Sequence, residues 1–258
     1  MTVRINIHEN AGTIIIDRPE RRNALSRDVL RALVEAFGDL HMERRVRAVV
    51  LTGAGSTFCS GMDLAEMRST KESDDPRAQW HEDSVLYLEL LETMLHFPKP
   101  IIAAVNGPAV AGGAGLVLAS DIVVAADNAR FGFPEARRGI VAGLVAPLLV
   151  FRIGAGHAAH MLLRANLIDA QEAFRLGAFH ELVPADQTWV RAVELAKECA
   201  TSAPEALLLT KRLLNETIGE HLSTLLAAGA AASATSRTTE AAAEGLAAFL
   251  EKRSPKWP

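Results

Sequence analysis

Apolar and polar positions in the first half of the chain switch between a period of two and a period near 3.6, as in a layered α/β architecture. Thr13 to Asp17 (TIIID) predicts a strand. Ser26 then offers an N-cap, and Leu30, Leu33, Val34, Phe37 and Leu40 recur at helical spacing up to the charged MERR stretch. Ala48 to Leu51 predicts the next strand, the Gly- and Ser-rich GAGSTFCSG a loop, and Met62 to Met67 the start of a short helix. Positions 68–83 are polar and irregular and read as a mobile surface segment. Val85 to His96 is again apolar at helical spacing and ends at Pro98 and Pro100. Ile101 to Asn106 predicts a buried strand, running into a glycine loop and a helix of small residues, and Ile122 to Ala126 a further strand. From about Gly154 the pattern predicts helices only, over 158–163, 170–176, 188–202, 203–220, 223–236 and 240–253, with Pro184 and Pro204 as punctuation. The last of these are richer in Ala and Leu than a solvated appendage needs, so they are expected to pack on another subunit. The expected division is a core over 1–195 and a C-terminal helical oligomerisation segment over 196–258.

A chain of 258 residues with 49% hydrophobic content can bury one large core. Its longest apolar runs, such as Ile101 to Val105, fall far short of the roughly 20 residues of a membrane span. The N-terminal MTVRINIHEN has no apolar signal core, so the expectation is a cytoplasmic protein with no membrane partner. Cys59 and Cys199 are too few and too far apart for a disulfide framework or a metal site, and read as buried or idle thiols. A formal charge of -4 speaks against nucleic acid as a partner. Any polyanionic ligand must therefore meet a local basic cluster, of which RPERR at 18–22 is the first candidate.

Two glycine-bearing loops follow predicted strands directly: FCSGMDLAEM at 58–67 and NGPAVAGGAGL at 106–116. Each puts small residues where a helix begins, so free N–H groups and a helix dipole can meet an anionic oxygen; a purely structural turn is the competing reading. VAGGAG at 110–115 does not hold G-x-G-x-x-G in register, and no G-K-[ST] follows either loop, which leaves little for nucleotide binding. Glu135, in FGFPEARRG, sits either for a helix dipole or as an acid in an apolar setting. His157 and His160 lie at i, i+3 with no third ligand, so no metal is expected, and His81 reads as a surface histidine.

Read together, RPERRNALS (18–26), AVVLTGAGSTFCSGMDLAEM (48–67), the run from Lys99 to Ile140 and EGLAAFLEKRSPKW (244–257) resemble the ordered signature blocks of the crotonase superfamily, the enoyl-CoA hydratases and isomerases. The resemblance implies an α/β fold, a crotonase-like spiral of ββα repeats with a C-terminal helical trimerisation segment, assembled as a homotrimer or a dimer of trimers. It implies an acyl-CoA thioester as the substrate and partner, and no cofactor besides the coenzyme A that the substrate carries. Carried over by position, the N–H groups of Met62 and Gly112 form an oxyanion hole and Glu135 is the acid/base. Arg22, Ala24, Ser60, Asp63, Leu64 and Ala65 match coenzyme-contacting positions; Phe249 and Lys252 match positions that reach the coenzyme, often from a neighbouring subunit.

One departure stands out. Familiar hydratases carry a second glutamate three positions beyond the one matched by Gly112, and here that position is Gly115. Hydration shares water activation and proton delivery between two carboxylates, whereas one base suffices to take a proton from one carbon and return it to another. Double-bond isomerisation, a specialised lyase reaction or acyl-CoA binding without catalysis are therefore all open, as is a substitute acid among Glu66, Glu72, Asp74, Asp75, Glu82 and Asp83.

Overall fold

The chain enters as an antiparallel hairpin. In the computed structural model, which describes residues 2–219 and 221–257, β1 (Val3–His8) pairs with β2 (Ala11–Ile16) across a turn in which Glu9 takes φ 53. β1 lies outside the predicted elements, although Val3, Ile5 and Ile7 alternate. Helix α1 (Arg27–Met42) follows, capped by the Ser26 hydroxyl, which accepts from Val29 N. Next come β3 (Ala48–Gly53), α2 (Leu64–Ser69), α3 (Pro76–His96), β4 (Ile101–Val105), β5 (Ala109–Val110), α4 (Gly112–Ala119), β6 (Ile122–Ala126), β7 (Arg130–Gly132), α5 (Val145–Ile153) and α6 (Ala155–Arg164). The remainder is β8 (Leu167–Asp169), α7 (Ala170–Arg175), β9 (Glu181–Val183), α8 (Thr188–Ala200), α9 (Pro204–Arg212), α10 (Leu222–Ser236) and α11 (Glu240–Leu250).

The large sheet runs β1-β2-β3-β4-β6-β9 and is parallel after the first pair. Each crossover sets a new strand beside its predecessor, so the chain advances as a spiral. After β2, β3, β4 and β6 the chain adds to a second, shorter ladder, through the bridges Leu25–Met62 and Cys59–Ala109 and then through β5 and β7, which β8 later joins. Two extended segments and then a helix therefore make up each turn, which is the expected ββα spiral. The period-two pattern splits the core: Val49, Leu51, Ile101 and Ala103 face α1 and α3, while Ala48, Val50, Ile102 and Ala104 face Ala192 and Ala196 of α8.

Three expectations are corrected. Positions 68–83 are largely helical, since α3 begins at Pro76 with Asp75 as N-cap, and Trp80 and Asp83 are buried. Their polarity serves an internal ion pair, in which Arg27 meets Asp83 through Nε and Nη2 at 2.6 and 2.9 Å. The region beyond Gly154 is not helices only, because β8 pairs with β7 and β9 extends the large sheet. Three residues are too few for a period to show. The helix expected over 203–220 ends as α9 and continues as a π-turn over Leu213–Ile218; its expected end at Glu220 lies outside the described residues. The C-terminal helices fold back over the spiral, α10 against α3 and α5, and α11 against α2 and the 3-10 turn Glu135–Arg138. Among the described residues no helix is long and apolar enough to cross a membrane.

Candidate active site

Where α10 and α11 roof the second ladder, a cavity of about 730 Å³ opens. Its geometry starts from the two glycine loops. Leu25 N donates to Gly61 O and Asp63 N to Leu25 O, so the N–H of Met62, between them, is turned away from its ladder partner. Gly112 begins α4, where the first N–H groups have no partner within the helix. Neither N–H has a backbone acceptor among the described residues. The loops touch: a Cβ on Gly61 (φ +89) would lie 2.8 Å from the Ala111 Cβ and 3.2 Å from Gly112 N. Only glycine allows that approach. Ala111 itself is held at φ 54, ψ -124, a strained turn of the backbone just before the free N–H.

Glu135 follows β7 and a Phe-Gly-Phe-Pro turn whose rings, Phe131 and Phe133, pack edge to face, with Phe179 edge-on to Phe131. It lies on the same cavity wall as Met62 and Gly112, and its Oε2 is buried without a hydrogen-bond partner. Burial pushes its carboxyl up to about 7, while its own backbone N–H and the Arg138 guanidinium pull the other way. Two main-chain donors and a carboxyl poised near neutrality can bind an oxygen that gains negative charge and move a proton beside it.

The position expected to hold a second glutamate is filled by another side chain. A Cβ on Gly115 would run into the Tyr87 hydroxyl and sit 2.6 Å from Val145 Cγ1. Tyr87, the chain's single tyrosine, projects from α3, is 3% exposed and donates to Gly112 O at 2.5 Å. Burial, aided by the nearby Cys59 and Glu135, holds its phenol well above the ordinary range. Its one sequence signal was a lone phenol one turn before the apolar Leu90 and Leu91. None of the acids at 66, 72, 74, 75, 82 and 83 lines the cavity.

The other expected positions divide. Arg22, Ala24, Ser60, Asp63, Leu64, Ala65 and Phe249 all line the cavity, and Lys252 does not. Asn23 builds the Arg22 turn by accepting from Arg18 N and donating to Ala54 O and Thr57 O. Asp63 caps α2 and meets Arg18 at 3.3 Å, so its carboxylate is engaged within the fold. Phe249, 41% exposed, carries the Arg138 guanidinium 4.3 Å above its ring. Arg21, Arg22, Arg137, Arg138 and Arg253 also stand on the wall, a basic rim on a chain that is acidic as a whole. Cys59 is buried, with its thiol pushed up to about 12 by burial, and is no nucleophile. His157 and His160 lie exposed on α6.

A ββα spiral with two free amides and a buried glutamate on one cavity is the arrangement that the resemblance to the crotonase superfamily implies. The sequence profile of the enoyl-CoA hydratase/isomerase family matches residues 6–258, and the chain belongs to that family. A protein of Thermus thermophilus named "Putative enoyl-CoA hydratase" is 41% identical over 248 residues, 96% of this chain and 97% of that one. The short-chain-enoyl-CoA hydratase of Clostridium acetobutylicum is 35% identical, over 93% of this chain and 91% of its own. A crystal structure of an enoyl-CoA hydratase/isomerase from Xanthobacter autotrophicus superposes with a TM-score of 0.90 at 26% identity, covering 100% of this chain and 99% of that one.

Proposed function

We propose that this cavity binds an enoyl-CoA thioester and moves a proton between carbons of its acyl chain, with Met62 and Gly112 N–H groups on the thioester oxygen and Glu135 as acid/base. The observation that carries the reading is the buried Glu135 Oε2, without a hydrogen-bond partner, lining the same cavity as the two free amides. Removing a proton next to a thioester puts negative charge on its oxygen, and each preorganised donor lowers that barrier by about 2.7–4 kcal/mol. A carboxyl near 7 both takes and returns a proton at neutral pH. With Tyr87 closing the space at Gly115, one carboxylate remains, which favours double-bond migration. Hydration is the second reading, supported by the names of the relatives, and a lyase reaction is a further variant on the same enolate.

The basic rim suits coenzyme phosphates, and Arg22, Ala24, Ser60, Leu64 and Ala65 suit the coenzyme arm, with Asp63 shaping that wall as a cap. No cofactor beyond the substrate's own coenzyme A is required. Exposed Leu209, Leu213, Leu214 and Leu225 support 196–258 as an oligomerisation segment on the 1–195 core, in a homotrimer or dimer of trimers. In such an assembly Phe249 and Lys252 would also reach a neighbour's coenzyme. The enzyme is assigned to the cytoplasm. An enoyl-CoA panel in heavy water, read by mass spectrometry, is the test. Deuterium uptake without added water supports isomerisation, gain of a whole water supports hydration, and neither would mark a binding protein and overturn the proposal.

A further inference from the structure

The cavity lining includes a buried cation whose donors are largely unmet. Arg237, directly after α10, lines the cavity at 7% exposure, and Ser233, one turn earlier, lines it too. Among the described residues its single hydrogen bond is a long one, from Nη1 to Trp80 O at 3.4 Å, and its Nε has no acceptor. Trp80 Nε1, buried on the facing turn of α3, is also a donor without an acceptor. Asp83, the acid whose charge favours the Arg237 cation, gives both carboxylate oxygens to Arg27, which also stands 3.9 Å from Glu66. A buried guanidinium left with spare donors is unfavourable unless an anion completes it. In agreement, burial brings this guanidinium down to about 10.

The position within the site decides what that anion is. Tyr87, against Gly112 at the reacting end, and Trp80, at Arg237, lie seven residues apart on α3, or about 10 Å along its axis. The Val141–Val145 segment runs between the two ends, with Val145 against the Gly115 position and Val141 N bonded to Ser236 Oγ. An anion bound at Arg237 would sit toward the tip of an acyl chain whose thioester meets Gly112, and away from the arginine rim.

We infer that Arg237 is a specificity residue that receives a carboxylate at the distal end of the acyl group, so that the preferred substrates are coenzyme A thioesters of dicarboxylic acids of about six carbons. The inference rests on the proposed acyl-CoA site, but its test does not need turnover. Calorimetric binding of two saturated, unreactive thioesters of equal length, adipyl-CoA and hexanoyl-CoA, isolates the terminal carboxylate. The intact chain is expected to bind adipyl-CoA tighter by on the order of 100-fold, the range for a charge-assisted pair in a desolvated pocket. In Arg237→Met that ratio is expected to fall to one or below, with a melting temperature at or above that of the parent, since a buried guanidinium with unmet donors has been removed. Equal or weaker binding of adipyl-CoA by the intact chain would overturn the inference, as would an Arg237→Met variant that retains the preference. Should the variant fail to fold, the comparison in the intact chain still decides. Absence of turnover in the heavy-water panel would sink the catalytic proposal alone.

Discussion

Replacing Glu135 by Gln keeps the shape of the side chain and removes its titration. A carboxyl at about 7 in the fold and at 4.5 in the unfolded chain binds its proton more tightly when folded. Below pH 4.5 both states are protonated and the carboxyl carries no ionisation penalty. Between 4.5 and 7 the unfolded chain ionises first, so stability falls relative to the Gln variant, and above 7 the loss is constant. Its size is about 2–3 kcal/mol, allowing for water at the cavity mouth. For a chain of this length that is roughly 5–10 °C in Tm. Thermal melts of both proteins from pH 4 to 8.5 are expected to coincide at the acid end and diverge toward neutrality, with the Gln variant the more stable. The same variant should lose at least about 100-fold in kcat, the usual share of a general acid/base. In the parent, kcat/KM should rise with pH through about 7, as the base form is populated. A Tm difference independent of pH would refute the buried, poised carboxyl; full turnover in the variant would refute its role.

Gly61→Ala places a methyl against Ala111 Cβ and Val110 O, at 2.8 and 2.9 Å, and wedges the two amide-bearing loops apart. Steady-state kinetics should show kcat down on the order of 100-fold, the effect of a displacement near 1 Å at reacting groups. Gly115→Glu alone should fold poorly, because its side chain meets the Tyr87 phenol and Val145. Pairing it with Tyr87→Ala relieves the larger clash, and water addition should rise relative to deuterium exchange in the heavy-water assay. Lys211→Met takes the buried ammonium from the partly exposed Asp121, which it meets at 2.7 Å, and denaturant melts should show a loss of about 1.5–3 kcal/mol.

How much of this was legible in the sequence depends on how far each feature is local. The strands at 48–51, 101–106 and 122–126 announced themselves because both faces are buried and β-branched or small residues crowd there. The free amides were legible through glycines whose constraint is backbone proximity, as at Gly61 against Gly112. β8 and β9 were not, since they exist only by pairing with β7 and β6 and carry no period of their own. The polar run at 68–83 misled for a related reason: Asp83 and Glu66 look solvated until Arg27, at least 39 positions away in sequence, arrives in space.

Tyr87 and Gly115 make the same point at the site itself. Read alone, Gly115 is a missing acid, a loss that invites a search for a substitute among the acids at 66–83. The fold shows instead an exchange: α3 sends a phenol into the volume that a side chain at 115 would take, and that phenol binds the carbonyl of Gly112 on the same first turn of α4. A neutral donor held well above its ordinary pKa range cannot serve as a second base at neutral pH. Under the proposed function the site pairs one poised carboxyl with one fixed donor, and Glu135 would both take the proton and give it back.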